Sequence, residues 1–104
     1  MKTSHGIDSI DFVNEAISFS DDNVDVVIRL AGGEIFYATF FTLKNLESIM
    51  KRYKETGECL SGRYLWAKNM IVVDDLHEKT IHAAIHDLVL SGEYLHAFGK
   101  EKST

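Results

Sequence analysis

Proline is missing from this chain and cysteine occurs once, and each shortage removes a class of explanation. Without proline, no predicted helix or strand is interrupted by a residue that cannot donate a backbone hydrogen bond. With Cys59 as the only thiol, no internal disulfide can form, which points to a reducing compartment. Long apolar runs are missing too. The longest blocks, "YATFF" and "MIVV", fall far short of the ~20 residues needed to span a bilayer, so no membrane partner is expected. After Lys2 the first residues hold no continuous apolar segment, so no secretory leader is expected and the cytoplasm is the expected location. Positive charge is also scarce. The net charge of −5 argues against a general nucleic-acid binder, whose phosphate contacts need a concentrated basic surface.

What is present is enough for one core. At 104 residues, with 45% hydrophobic and 26% charged positions, the chain suits a single globular domain over 1–104, with loose ends at 1–8 and 99–104. Charge is unevenly spread: residues 1–34 carry seven acids and two bases, 35–73 three acids and six bases, and 74–104 six acids and three bases. An acidic surface of this kind suits a basic protein partner.

The segment "NVDVVIRLAGGEIFYATFF" places two β-branched and aromatic runs around Gly32-Gly33, which predicts a tight hairpin over 23–41. With a two-residue turn there, Val24, Val26, Ile28 and Leu30 share the core face with Phe41, Thr39, Tyr37 and Ile35. The opposite face then carries Val27, Phe36 and Phe40, which need cover. "AISFSDD" alternates apolar and polar residues and predicts a strand at about 15–20, turning at Asp21-Asp22-Asn23; residues 9–14 fit a helical turn or a strand equally well. Residues 42–57 form an amphipathic helix with Leu43, Leu46, Ile49, Met50 and Tyr53 in one stripe, Thr42 as N-cap and Gly57 at its end. A loop at 58–62 and a strand at 63–73 follow. A second helix spans about 76–91, opened by Asp75 with Glu78 three residues on and stopped by Gly92. In the tail "EYLHAF", Tyr94, Leu95 and Phe98 are available for packing. The order is β-β-β-α-β-α. It predicts an α+β fold, with an antiparallel sheet of about four strands and two amphipathic helices on one face.

The histidine-rich stretch "LHEKTIHAAIHDLVL" comes nearest to a chemical motif. A zinc-protease helix needs H-E-x-x-H, with both histidines on one face. Here His77 and His82 are five apart, so at ~100° per residue they diverge by about 140°. That match fails on geometry. His82 and His86, at i and i+4, do share a flank and form a candidate metal pair lacking a third ligand. Cys59 sits in no cysteine-enzyme signature, and Gly32-Gly33 precedes a strand, where a phosphate cradle needs a helix. Lys51, Arg52, Lys54, Arg63 and Lys68 form a candidate basic patch over 44–68, read as a solvated face unless exposed aromatics interleave with it. Trp66, if exposed, is an interface residue.

No assembled catalytic set emerges. The leading expectation is a non-catalytic protein-interaction or regulatory module without a cofactor. Its partner is a protein of unknown identity or a second copy of the chain, met through Phe36, Phe40, Val27 and Trp66. The alternatives are a metal-binding protein or metal-dependent enzyme using His82 and His86, and a weak nucleic-acid binder using the basic region.

Overall fold

Alternating β-branched and aromatic residues build the centre of the fold. In the computed structural model, which describes residues 6–101, they form two eight-residue strands, β2 (Asn23–Leu30) and β3 (Ile35–Thr42), paired antiparallel. β1 (Ile7–Phe12) pairs antiparallel with β2. After β3 come α1 (Leu43–Thr56), a short turn α2 (Glu58–Gly62), β4 (Met70–Val73), α3 (Glu78–Ser91), α4 (Tyr94–Ala97) and β5 (Gly99–Lys100). The class is α+β and the order of the main elements is the expected β-β-β-α-β-α. β4 and β5 share the far edge of β3, β4 parallel along residues 39–42 and β5 antiparallel along 36–37. The long connection through α1 and α2 permits that parallel pairing, which a tight turn cannot supply.

The hairpin register differs from the expected one by a single residue. Val24 pairs with Phe40, Val26 with Ala38 and Ile28 with Phe36. The cause is the turn. The Leu30 amide donates to the Glu34 carbonyl, the Gly33 amide donates to the Leu30 carbonyl, and Gly33 takes φ 94°. The loop is therefore the three residues Ala31, Gly32 and Gly33, with glycine in the left-handed position, and not a two-residue turn. Because strand side chains alternate, this slip moves every residue of β3 to the other face. Phe36 and Phe40, expected on an open face, are 1% and 0% exposed in the core.

That core joins Val24, Val26, Ile28 and Leu30 of β2 and Phe36, Ala38 and Phe40 of β3 to Leu76, then to Ile81, Ile85 and Val89 of α3. Tyr94 and Phe98 close it, Tyr94 meeting the Phe36 ring edge-on with centroids 5.2 Å apart. Of the tail residues considered for packing, Leu95 stays exposed. Apart from Phe41, which is buried close to the start of α1, the outer sheet face is wet. Arg29 pairs with Asp11, the Thr39 hydroxyl donates to Asp25, the Tyr37 hydroxyl donates to Glu101, and Lys100 pairs with Glu34. Such cross-strand polar pairs let an antiparallel face meet water without a second layer.

Two stretches differ from their sequence expectation. Residues 15–20 are not a strand, since β1 ends at Phe12 and residues 13–22 form an irregular loop. Only 70–73 of the expected 63–73 strand is regular. The ends expected to be loose, 1–8 and 99–104, are bonded to the sheet wherever they are described: Gly6 accepts from Ala31, and Glu101 donates to Ile35. Residues 1–5 and 102–104 lie outside the described residues. Among the described residues, no helix is long and apolar enough to cross a membrane.

Candidate interaction surface

α1 begins and ends where its sequence dictates. The Thr42 hydroxyl accepts from the Asn45 amide at 3.1 Å, satisfying one of the free donors of the first turn. At the other end Gly57 takes φ 88° and its amide donates to the Tyr53 carbonyl at 2.8 Å. Between these caps runs the apolar stripe Leu43, Leu46, Ile49, Met50 and Tyr53. Ordinarily such a stripe is buried on the sheet. Here only Ile49 is buried, and α1 contributes no residue to the core cluster. Its contact with the sheet runs through the end of β3, supported by polar links from Asn45 and Ser48 to Asp21 and from Asn23 to Asn45.

The principal neighbour of α1 is α2, whose backbone is left-handed. Cys59, Leu60 and Ser61 have φ near 50–56° and ψ near 44–55°. A left-handed conformation costs about 1–2 kcal/mol per non-glycine residue, so three in succession need strong local support. Gly57 and Gly62 flank the turn at φ 88° and 81°, and the Arg63 amide donates to the Cys59 carbonyl at 3.2 Å. Gly62 is wedged against α1: a Cβ there would lie 2.3 Å from the Met50 carbonyl oxygen. α1, α2 and the irregular segment to Lys68 thus form one arm. The radius of gyration of 15.1 Å exceeds the ~13 Å of a compact chain of this length, and the principal extents are 53 × 30 × 22 Å.

The arm gathers exposed apolar side chains and unpaired cations. Leu43, Leu60, Tyr64 and Trp66 are 66%, 69%, 48% and 71% exposed. Lys51, Arg52, Lys54, Arg63 and Lys68 are all exposed, as is Lys44. The two ion pairs among the described residues, Arg29–Asp11 and Lys100–Glu34, leave all six uncompensated. From Leu43 to Lys68 six bases face three acids, a net +3, so the rest of the chain carries −8 of the total −5. All five residues of the expected basic patch are therefore exposed, and Tyr64 and Trp66, which lie between Arg63 and Lys68 in the chain, are exposed with them. The other expected interface residues separate: Trp66 is exposed, Val27 is half-buried on the wet sheet face, and Phe36 and Phe40 are core.

The histidine pair sits elsewhere. Both residues lie on α3, His86 exposed and His82 half-buried with its ring stacked on Phe12 at 6.1 Å. Among the described residues, no group of three or more His, Cys, Asp or Glu side chains is placed to hold a metal ion. The start of α3 is organised by Asp75, which accepts from the His77 amide at 3.0 Å. Its Thr80 hydrogen bond and then the His77 amide hold its carboxyl below the usual aspartate range. Glu78 does not complete a capping box, because the N-cap position is His77. Cys59 is half-buried in the left-handed turn, without a histidine partner among the described residues. Compared with known protein families, curated protein sequences and solved structures, the chain matches none.

Proposed function

We propose that this chain is a non-catalytic interaction module that grips a partner protein with the arm from Leu43 to Lys68. The observation that carries it is the amphipathic α1, capped at both ends yet burying only Ile49. Leu43 at the head of the stripe is exposed and Leu46, Met50 and Tyr53 are only half-buried, so the helix gains stability from whatever covers them further. The partner surface that fits is apolar at its centre and acidic at its rim, to meet Leu60 and Trp66 surrounded by Lys51, Arg52, Arg63 and Lys68. A second copy of this chain has the required sign, since the residues outside the arm carry −8.

Sedimentation of the full chain across concentration and salt, beside Trp66→Ala and a Lys51→Glu/Arg52→Glu double variant, tests this. The expected result is a dimer at low salt that dissociates on adding salt and in both variants. A monomer at every concentration removes self-association. The arm is then tested against foreign proteins by comparing what wild type and Trp66→Ala retain, and equal retention removes the arm altogether. A second reading draws on Tyr64 and Trp66 standing exposed between Arg63 and Lys68, an arrangement on which unpaired bases stack. It requires salt-dependent binding of a single-stranded oligonucleotide, and no retention at low salt eliminates it.

A further inference from the structure

Away from the arm, the irregular loop 13–22 encloses a cleft of about 290 Å³ against the start of α3. Phe12, Phe19, Val24 and Leu76 form its apolar walls, and Glu15 and Glu78 bring two carboxylates to it. The loop has no regular structure, yet it is pinned at several points. The Val13 amide donates to the Asp25 carbonyl at 2.8 Å, and Asn14 bridges to both Asn23 and Asp25. The Ile17 amide donates to the Asp22 carboxylate at 2.8 Å, and the Leu76 amide donates to the Phe19 carbonyl at 2.9 Å. The Phe19 ring rests on His77, centroids 4.0 Å apart, and Phe12 on His82. An irregular loop fixed this thoroughly over an apolar hollow is a pre-formed site rather than slack chain.

The chemistry of the walls selects the ligand. Val24 and Leu76 are almost fully buried and make a dry floor, while Phe12 and Phe19 add aromatic walls. Among the described residues, neither Glu15 nor Glu78 has an ion pair or a side-chain hydrogen bond. Two unpaired glutamates lining one aromatic-walled cleft attract a cation and repel an anion, and the −8 outside the arm acts in the same direction. A bare metal ion is the wrong cation here, because among the described residues no third ligand stands near. The volume is at the lower end of small-molecule sites, which run from about 300 Å³ upward, so the occupant is one small group and not a nucleotide.

We propose that this cleft binds an organic monocation, an amine or guanidinium on a short apolar stem. The same chemistry is available from a free amine or from a lysine or arginine side chain of another protein, and the experiment separates these. Backbone NMR shifts of the full chain are followed on titration with benzylamine, with benzyl alcohol as neutral counterpart, and with a blocked glycine-arginine-glycine peptide.

Benzylamine is expected to move the signals of Ala16, Phe19 and Leu76 at millimolar concentration and benzyl alcohol far less. Glu15→Gln and Glu78→Gln, both at exposed positions, are each expected to weaken benzylamine about two- to five-fold. Tighter binding of the peptide assigns the site to a protein side chain, and tighter binding of benzylamine to a free amine; both support the cation site. Equal binding of benzyl alcohol overturns it, since the cleft would then be merely apolar. Shifts spread over the acidic surface and unchanged in the two glutamine variants overturn it equally. Absence of any shift from both cations does the same.

Discussion

The body of this protein and its arm are built from equally regular secondary structure, yet they bury it very differently. α3 and α1 are both fourteen residues long, both end in a glycine at positive φ, and both carry an apolar stripe. α3 buries Ile81, Ile85 and Val89 against the sheet, whereas α1 buries Ile49 alone. Helix formation and helix packing are thus separate properties. Caps and propensity fix where a helix starts and stops, but most of the stability of a helix in a protein comes from the surface it covers. The arm has the first property and little of the second.

Three substitutions sharpen that contrast, the largest effect first. Ile85→Ala opens a cavity in the fully buried body and should cost about 2–5 kcal/mol, read from the urea midpoint. Leu43→Ala on the exposed arm should stay within about 0.5 kcal/mol by the same measurement. Comparable losses at the two sites would mean that the arm is packed in solution. Leu60→Gly is expected to act in the opposite sense. At φ 54° and ψ 46° leucine is strained and glycine is not, so the variant should gain up to about 1 kcal/mol. In a right-handed helix the same change loses about as much, so the sign of the midpoint shift reports the handedness of α2.

A modest effect belongs to Asp22, which ties the loop 13–22 together. Slight burial raises its carboxyl, but hydrogen bonds from the amides of Ile17, Asn23 and Ser18 outweigh that and leave it below the ordinary aspartate value of 3.8. A depressed folded-state value means the stabilisation is present above the unfolded value and is lost as pH falls through the folded one. Asp22→Asn should therefore be destabilised by less than about 1 kcal/mol near neutrality, with the gap to wild type closing in acid below pH 3.8. A gap that persists unchanged into strong acid would show that the charge of Asp22 contributes nothing.

The legible features and the hidden ones divide along a physical line. Thr42, Gly57 and Gly92 act within a few residues of themselves, and each stands at the helix end its chemistry predicts. The hairpin was legible in existence but not in register. Leu-Ala-Gly-Gly-Glu permits a two- or a three-residue loop, and the choice moves Phe36 and Phe40 between core and surface. Ile17 and Phe19 alternate with serines as a strand would, but Asp22 captures the Ile17 amide and the segment closes on itself. The cleft residues Glu15, Phe19 and Glu78 were for that reason invisible as a group. Trp66 and the basic residues could be named from sequence, yet whether they faced solvent together could not.

By itself, the sequence determined the α+β class, the order of the elements, the ends of the first long helix and the stop of the second, because those follow from periodicity and from caps a few residues apart. Only the tertiary structure decided the hairpin register, the left-handed turn at Cys59–Ser61, the detachment of α1 from the core and the enclosure of the cleft. Each of these depends on which distant surfaces compete for the same side chains. That competition is settled by packing energies that no local pattern contains.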